Sequence, residues 1–454
     1  MTYPLTIELG KLVAGTRPED IPANAVEQVA AAFADTIGVM LAGVDEPAPQ
    51  LLRKMLNPSG TEAMLVTDSG RASAMDAAWI NGTAAHALDY DDVAQQGGHA
   101  SAVLVPAILA EGEALGASGS DMARAYVVGY EVFSEVASRD ADQHHNKGWH
   151  PTGIFGAIGA AAACASLRRL NAEQTAMAIA LGASQSSGVM SNFGTMTKPF
   201  HAGRAAHAGV ASARLAALGF TASLDALEHA PGFLHAVSPN GRVDAERILR
   251  LKKEWALVER NRLAVKKYPM CYCAHRALDG ALDLKAAKKI DASQVAGVKV
   301  SISPRNAIIL RNHAPVTGLE AKFSMEFAMA STLSVGRAGL NELQDGFVQR
   351  QDIQELMQRV KIEEDPRENS ERPGYAVHDR VTVTMRDGTV HDSGPIVIAR
   401  GDPEEPLQQK ELWNKFEDCV RASGSKVDAD RLFSTLMSLG KLQNLGQVVQ
   451  GMRA

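Results

Sequence analysis

Gly194-Thr-Met-Thr-Lys198-Pro-Phe-His-Ala-Gly-Arg-Ala-Ala-His-Ala-Gly209 is the stretch on which the reading of this chain turns. Lys198 stands directly before Pro199, and small residues follow in a helical run to Leu218. Proline fixes φ and has no N–H to satisfy, so it suits the first position of a helix, while the residue before it is pushed out of the helical region. The stretch therefore predicts Lys198 at a helix N-terminus, beside unpaired N–H groups and the positive end of the macrodipole. Such a place attracts carboxylate or phosphate. The plain alternative is a surface lysine in a turn. The pattern recurs twice. Gly148-Trp149-His150-Pro151-Thr152 precedes the small-residue run 153–167 and puts His150 at an N-cap. Gly97-Gly98-His99-Ala-Ser101 precedes an apolar run that contains Pro106. Three helix starts, each carrying His or Lys, are expected to converge on one pocket for a multiply charged anion.

Length and composition set the frame. The chain has 454 residues, enough for roughly two or three domains, and 46% hydrophobic with 22% charged residues is the composition of a soluble globular protein. A net charge of −6 with 5% aromatic residues offers no basic footprint for nucleic acid. The amino terminus lacks the basic start and apolar core of a signal peptide, and the run 154–167 is too short to span a bilayer. These features predict a cytoplasmic protein with no membrane or nucleic-acid partner. The four cysteines, Cys164, Cys271, Cys273 and Cys419, make no disulfide framework. Cys271-Tyr-Cys273-Ala-His275 has metal-binding residue types, but its spacing matches no common zinc pattern, so no metal site is expected.

Apolar periodicity predicts helices over 22–42 and near 74–90, 103–115, 120–139, 152–168, 172–187, 202–218 and 244–253. Alanine and glycine are dense across 153–219, which reads as the packed centre of a helical bundle, although alanine is also simply the best helix former. After about residue 265 the character changes. Residues 295–303 alternate as a strand, 381–391 carry Asp387-Gly388 as a hairpin turn, and 320–333 read as a helix. Helical patterns return at 407–422 and 428–437. The charged stretch 363–373 reads as an exposed loop. The fold class is mostly α with a smaller α+β domain: a large all-helical domain over 1–265, an α+β lid over 266–400, and C-terminal helices over 401–454 packing back on the first domain.

Histidines cluster in the first domain, at 86, 99, 144, 145, 150, 201 and 207. His86 and Asp89 lie three apart near a helix end and can share a face, where the carboxylate would orient a histidine or hold a substrate hydroxyl. Asp91 and Asp92 read equally well as an acidic helix end entering a loop. A histidine at a helix N-terminus is kept neutral by the dipole and suits a general base. His150 fits that role best, with His99 next. Lys198 would hold a substrate carboxylate and steady the charge that develops when the adjacent carbon loses its proton.

The stretches His86-Ala-Leu-Asp89-Tyr-Asp-Asp92, Gly98-His99-Ala-Ser, Gly148-Trp-His150-Pro-Thr, Thr197-Lys198-Pro, Gly203-Arg-Ala-Ala-His-Ala-Gly209 and Lys266-Lys-Tyr-Pro-Met-Cys271-Tyr-Cys-Ala-His275 together resemble the 2-methylcitrate dehydratase (MmgE/PrpD) family. The resemblance implies a homodimer that works without metal or organic cofactor on small di- and tricarboxylates. Known members are 2-methylcitrate dehydratase, cis-aconitate decarboxylase and iminodisuccinate epimerase. The positions matching their pocket residues are Asp89, His99, His150, Lys198, Lys266 and Cys271. The decarboxylases carry histidine at the place of Cys271 and threonine at the place of Val93, so decarboxylation is the reaction the motifs support least. The segment 266–275 also differs from the propionate-pathway dehydratases, and the stretch 193–199 with Cys271 looks closer to the epimerase branch. The expectation is a cofactor-independent lyase of the dehydratase type, abstracting a proton beside a carboxylate of a hydroxylated acid such as 2-methylcitrate. His150 would be the base, His99 the partner acid and Lys198 a carboxylate clamp, with Asp89 and Cys271 also catalytic. Lys266, His86, Arg204 and His275 would bind substrate. The alternatives are a two-base epimerase of a dicarboxylate such as iminodisuccinate, using Cys271 as one base, then a decarboxylase, and from a different class a non-catalytic carboxylate-binding protein.

Overall fold

The computed structural model describes residues 3–66, 70–95, 97–250, 254–372 and 374–453. The chain divides into two compact units, one formed by residues up to 192, 196–264 and 408–454, the other by 193–195 and 265–407.

The first unit is helical. Its centre is the helix Pro151–Leu167, all of whose residues are buried. It packs against Gly119–Ala137, Ala172–Ser184 and Thr197–Ala217. Small residues make these crossings close. A Cβ on Gly203 would lie 2.2 Å from Thr83 Oγ1 and 2.3 Å from the Trp79 carbonyl oxygen. This is why the helix Thr197–Ala217 can lie almost in backbone contact with Ala74–Ala87. Ala23–Gly43 is long and apolar enough to cross a membrane by length and composition, a feature that the shorter run 154–167 lacks, and most of it is buried against its neighbours. It packs on Gln409–Ala422 and Ala429–Met437, so the last part of the chain completes the unit that the first part began.

The second unit carries a four-stranded sheet in the order Val360–Glu364, Val295–Ile302, Arg380–Met385, Val390–Asp392. The first pair is parallel, with Val298 opposite Val360, and the others are antiparallel, with Val300 opposite Val381. Val295, Val298, Val300 and Ile302 are buried, as the alternation predicts for one covered face. The hairpin turns at Asp387-Gly388, where Gly388 has φ +86° and Thr389 N–H donates to Asp387 Oδ1 at 2.8 Å. The helices His275–Lys288 and Met325–Val335 pack on one another, and the former also packs on Arg380–Met385.

Three expectations need correction. Residues 244–250 form no helix, and 251–253 lie outside the described residues. The helix over 320–333 is two helices, Gly318–Ala321 and Met325–Val335, because Ser324 leaves the helical region and caps the second by accepting from Phe327 N–H. Glu363 and Glu364 belong to the strand paired in parallel with Val295–Ile302, not to the loop that follows.

Candidate active site

His86 is in the last turn of Ala74–Ala87 and fully buried. The helix ends there because Asp89 takes a left-handed conformation, φ +51°. That conformation is uncommon for a residue with a Cβ, and where it occurs the surrounding structure must hold it. The left-handed turn decides which carboxylate meets which base. Asp89 is carried off the helix to Lys198 Nζ, with which it forms a buried ion pair. Asp91 is returned beneath the imidazoles, with Oδ1 at 2.9 Å from His86 Nδ1 and Oδ2 at 2.9 Å from His99 Nδ1. The expected sharing of one helix face by His86 and Asp89 is thus not what forms. His86 takes Asp91 instead, because residue 89 is already outside the helix.

His99 is fixed from several sides. Its Nδ1 is also 2.9 Å from the Asp92 carbonyl oxygen, and its backbone N–H donates to Thr152 Oγ1 at 3.0 Å. Its Nε2 is 3.8 Å from Asp89 Oδ1. The loop itself is held by a two-residue ladder in which Val93 pairs with Ala264 and Ala94 with Leu263. With Nδ1–H of both rings directed at the Asp91 and Asp92 oxygens, Nε2 is the atom left to each ring for proton exchange, the carboxylate–histidine arrangement that orients an acid or base.

His150 occupies the N-cap position of Pro151–Leu167, with Pro151 at the first helical position. Its ring is stacked on His86, centroids 5.8 Å apart, and its Nδ1 lies 3.1 Å from His201 Nδ1. His86 and His99 rings are 4.4 Å apart. His201 comes from the same face of its helix as Lys198, three residues on. Gly188 accepts from His150 N–H and has φ +118°, and a Cβ there would lie 3.1 Å from the His201 ring. Only glycine lets the backbone pass there without displacing that imidazole. Lys198 is the second residue of Thr197–Ala217, not the residue before the helix. The helix starts two residues earlier than the proline rule predicts, and Pro199 falls at its third position, where an N–H has no intrahelical partner in any case.

Electrostatics follow from this packing. Burial, opposed by Asp91, pushes His86 down to about 3. Burial, then Lys198 and the neighbouring imidazoles, hold His150 well below its ordinary value, and burial with Lys198 brings His201 to about 4. Burial would raise Asp91, but His86 and His99 hold it well below the usual carboxylate range. Asp92 behaves oppositely. Burial and the nearby Asp35 carboxylate raise it well above that range, and its Oδ2 accepts from Ser101 Oγ at 2.5 Å. The imidazoles of His86, His150 and His201 are thus neutral beside the Lys198 ammonium group. Desolvation accounts for this before any helix dipole does. His86, Asp89, Asp91 and His99 also bring ligand atoms within 4.8 Å of one another, a donor set that could hold a divalent ion, though Lys198 already places a positive charge at Asp89.

His86, Asp89, His99, His150 and Lys198 are therefore brought together within the first unit. Arg204 is not among their contacts. It lies over the Trp79 ring, 5.3 Å from the centroid, with Nη1 2.7 Å from His207 Nδ1, because six residues carry it round the helix from Lys198. The other three expected site residues belong to the second unit. Lys266 is fully buried. Cys271 is buried, and its N–H donates to the Lys322 carbonyl oxygen at 2.9 Å. His275 packs between the rings of Tyr268 and Tyr272, with Nε2 3.2 Å from the Met270 carbonyl oxygen. All four cysteines are free thiols. Two members of the cluster were missed as such. Asp91 was legible only as an acid near two histidines, and His201 only by its three-residue spacing from Lys198.

Two family models match the chain, the MmgE/PrpD N-terminal domain over residues 7–246 and the MmgE/PrpD C-terminal domain over 268–439. Similar curated proteins include the cis-aconitate decarboxylase of Mus musculus, 28% identical over 81% of this chain and 76% of its own length. That of Homo sapiens is 26% identical over 77% and 73%, and that of Aspergillus terreus 22% identical over 98% and 95%. With family models covering both units, the chain belongs to the MmgE/PrpD family.

Proposed function

We propose that the protein is a cofactor-independent lyase acting on a small di- or tricarboxylate through a carbanion flanked by carboxylate. The observation that carries this reading is the meeting of three helix starts at one cluster, with neutral His150 beside the Lys198 ammonium and His99 held on Asp91. A neutral imidazole can take a proton from the carbon beside a carboxylate. A fixed cation lowers the energy of the enolate-like charge that results. In the tautomer that directs His150 Nδ1–H at His201, Nε2 of His150 is the accepting atom. In a dehydration, the carbon–hydrogen electron pair becomes the new double bond. The hydroxyl then leaves as water with a proton from Nε2 of the His99 imidazolium, whose Nδ1–H stays on Asp91, the acid role we assign to His99.

Dehydration of a hydroxylated acid such as 2-methylcitrate is our first reading. The names of the relatives favour a second, decarboxylation of cis-aconitate or a similar acid, in which loss of carbon dioxide leaves an allylic carbanion that an imidazolium protonates. Epimerisation would return the proton to the other face. We also take the protein to be a cytoplasmic homodimer. The test is a panel of citrate, 2-methylcitrate, cis-aconitate and iminodisuccinate, read for conjugated alkene, released carbon dioxide and solvent deuterium at carbon. Dehydratase activity gives the first signal, decarboxylase the second and epimerase the third alone. Binding of these acids with none of the three signals would overturn the enzyme reading.

A further inference from the structure

Asp89 to Asp92 supplies three buried carboxylates from four residues, on a backbone that begins in the left-handed region. Such a turn keeps its shape only if something holds its middle. The middle residue, Tyr90, is held by Lys415, which comes from Gln409–Ala422, 325 positions further along the chain. Lys415 Nζ donates to the Tyr90 carbonyl oxygen at 2.7 Å and lies 4.1 Å from the centroid of the Tyr90 ring. It is also 2.6 Å from Asp35 Oδ1, on Ala23–Gly43. Lys415 is 6% exposed and Asp35 2%, so this is a charge pair taken out of water.

We propose that Lys415 is a positioning residue for proton transfer, setting the Asp89–Asp92 turn so that Asp89 meets Lys198 while Asp91 spans His86 and His99. This rests on reading the cluster as a proton-transfer site. Stability alone does not account for the pair. Desolvating two charges costs about what their attraction returns, and well-packed apolar residues of the same volume often serve as well or better. What an apolar pair cannot supply is the donor to the Tyr90 carbonyl. The residues on either side of Tyr90 hold the site's cation and its two imidazoles, so displacement of that carbonyl moves both halves of the site together. The turn has a second tie, since Asp92 accepts from Ser101 Oγ, which is 2.6 Å from Tyr126 Oη. Lys415 is thus the tie at the Tyr90 carbonyl, between Asp89 and Asp91.

The test compares wild type, Lys415→Met, the paired variant Asp35→Asn with Lys415→Met, and Lys415→Arg. The paired variant removes both charges and so avoids leaving one of them alone in the core. We expect it to melt within a few degrees of wild type and to bind tricarballylate, a tricarboxylate without the hydroxyl, with affinity changed by no more than about threefold. Its kcat should fall by about 10- to 100-fold, since displacements of about 1 Å cost on that order. The imidazole nitrogen resonances of His86 and His99 should shift, and Lys415→Arg should recover part of kcat. Wild-type kcat with unshifted resonances in the paired variant overturns the proposal. So does loss of folding in every variant, which would assign the pair to stability alone. The resonances and the calorimetry require no turnover. A wild-type protein inactive on every acid therefore refutes the reaction proposed above, while shifted or unshifted resonances still decide the role of Lys415.

Discussion

Lys198→Met removes the ammonium group and keeps most of the side-chain volume. The group is 4% exposed and paired with Asp89. A unit charge about 4 Å from a developing oxyanion, at an effective dielectric of about 20, contributes about 4 kcal/mol. The paired Asp89 carboxylate offsets part of that. The expected loss in kcat is therefore ~10²–10³-fold, similar to removing one oxyanion-stabilising donor. The change has a second signature. Lys198 is among the causes that hold His150 and His201 below the ordinary histidine value, so its removal raises both. A base must be neutral to act, and the acid limb of the kcat profile should therefore move to higher pH. The buried Asp89 carboxylate left behind would also destabilise the fold, by about 3–5 kcal/mol when a buried partner is lost. Asp89→Asn with Lys198→Met separates that effect from catalysis, because it removes both charges. The assay is initial rate across pH on whichever acid of the panel turns over, with thermal melts of each variant. If Lys198→Met retained kcat within about threefold and an unmoved acid limb, the electrostatic account of this site would be wrong.

Three further outcomes are expected. Asp91→Asn can accept from only one imidazole and must present its amide hydrogens to the other, so one ring is forced into the wrong tautomer. Steady-state kinetics should show kcat lower by ~10²–10⁴-fold with KM little changed, and a loss under fivefold would reject the bridging role. His86 and His201 have folded values near 3 and 4, below the ordinary 6.5, so the unfolded chain takes up protons first as pH falls. Stability should be fully present above about pH 6.5 and decline towards pH 4 by up to about 1.4 kcal/mol per pH unit for each proton taken up; equal urea midpoints at pH 7 and pH 5 would contradict this. Gly203→Ala places a methyl group 2.2 Å from Thr83 Oγ1, which must force the two helices apart at a cost of at least about 1–3 kcal/mol, read by calorimetric melting.

Much of this architecture could be read from the amino acids. The helices followed apolar spacing, and the hairpin followed Asp387-Gly388, because both signals are local. The site was legible where a single step along the chain determines geometry: Pro151 after His150, small residues after Lys198. It was opaque where geometry depends on a backbone choice that several residues share. Nothing in His86-Ala-Leu-Asp89 announces that Asp89 will turn left-handed and hand His86 to Asp91. The parallel pairing of Val295–Ile302 with Val360–Glu364 was hidden for a related reason, since those strands are separated by several helices and no turn residue marks the match. Lys415 looked like any amphipathic-helix lysine, and only its long-range partners distinguish it.

The return of residues 408–454 to the first unit has a consequence for biosynthesis. As the chain leaves the ribosome, residues 265–407 emerge complete and can condense while the helical unit still lacks its closing segment. The helices made first must then wait, with the Ala23–Gly43 surface that later meets Gln409–Ala422 still uncovered, through the translation of more than three hundred further codons. Nascent chains stalled before codon 408 should therefore engage chaperones through their oldest helices rather than their newest ones.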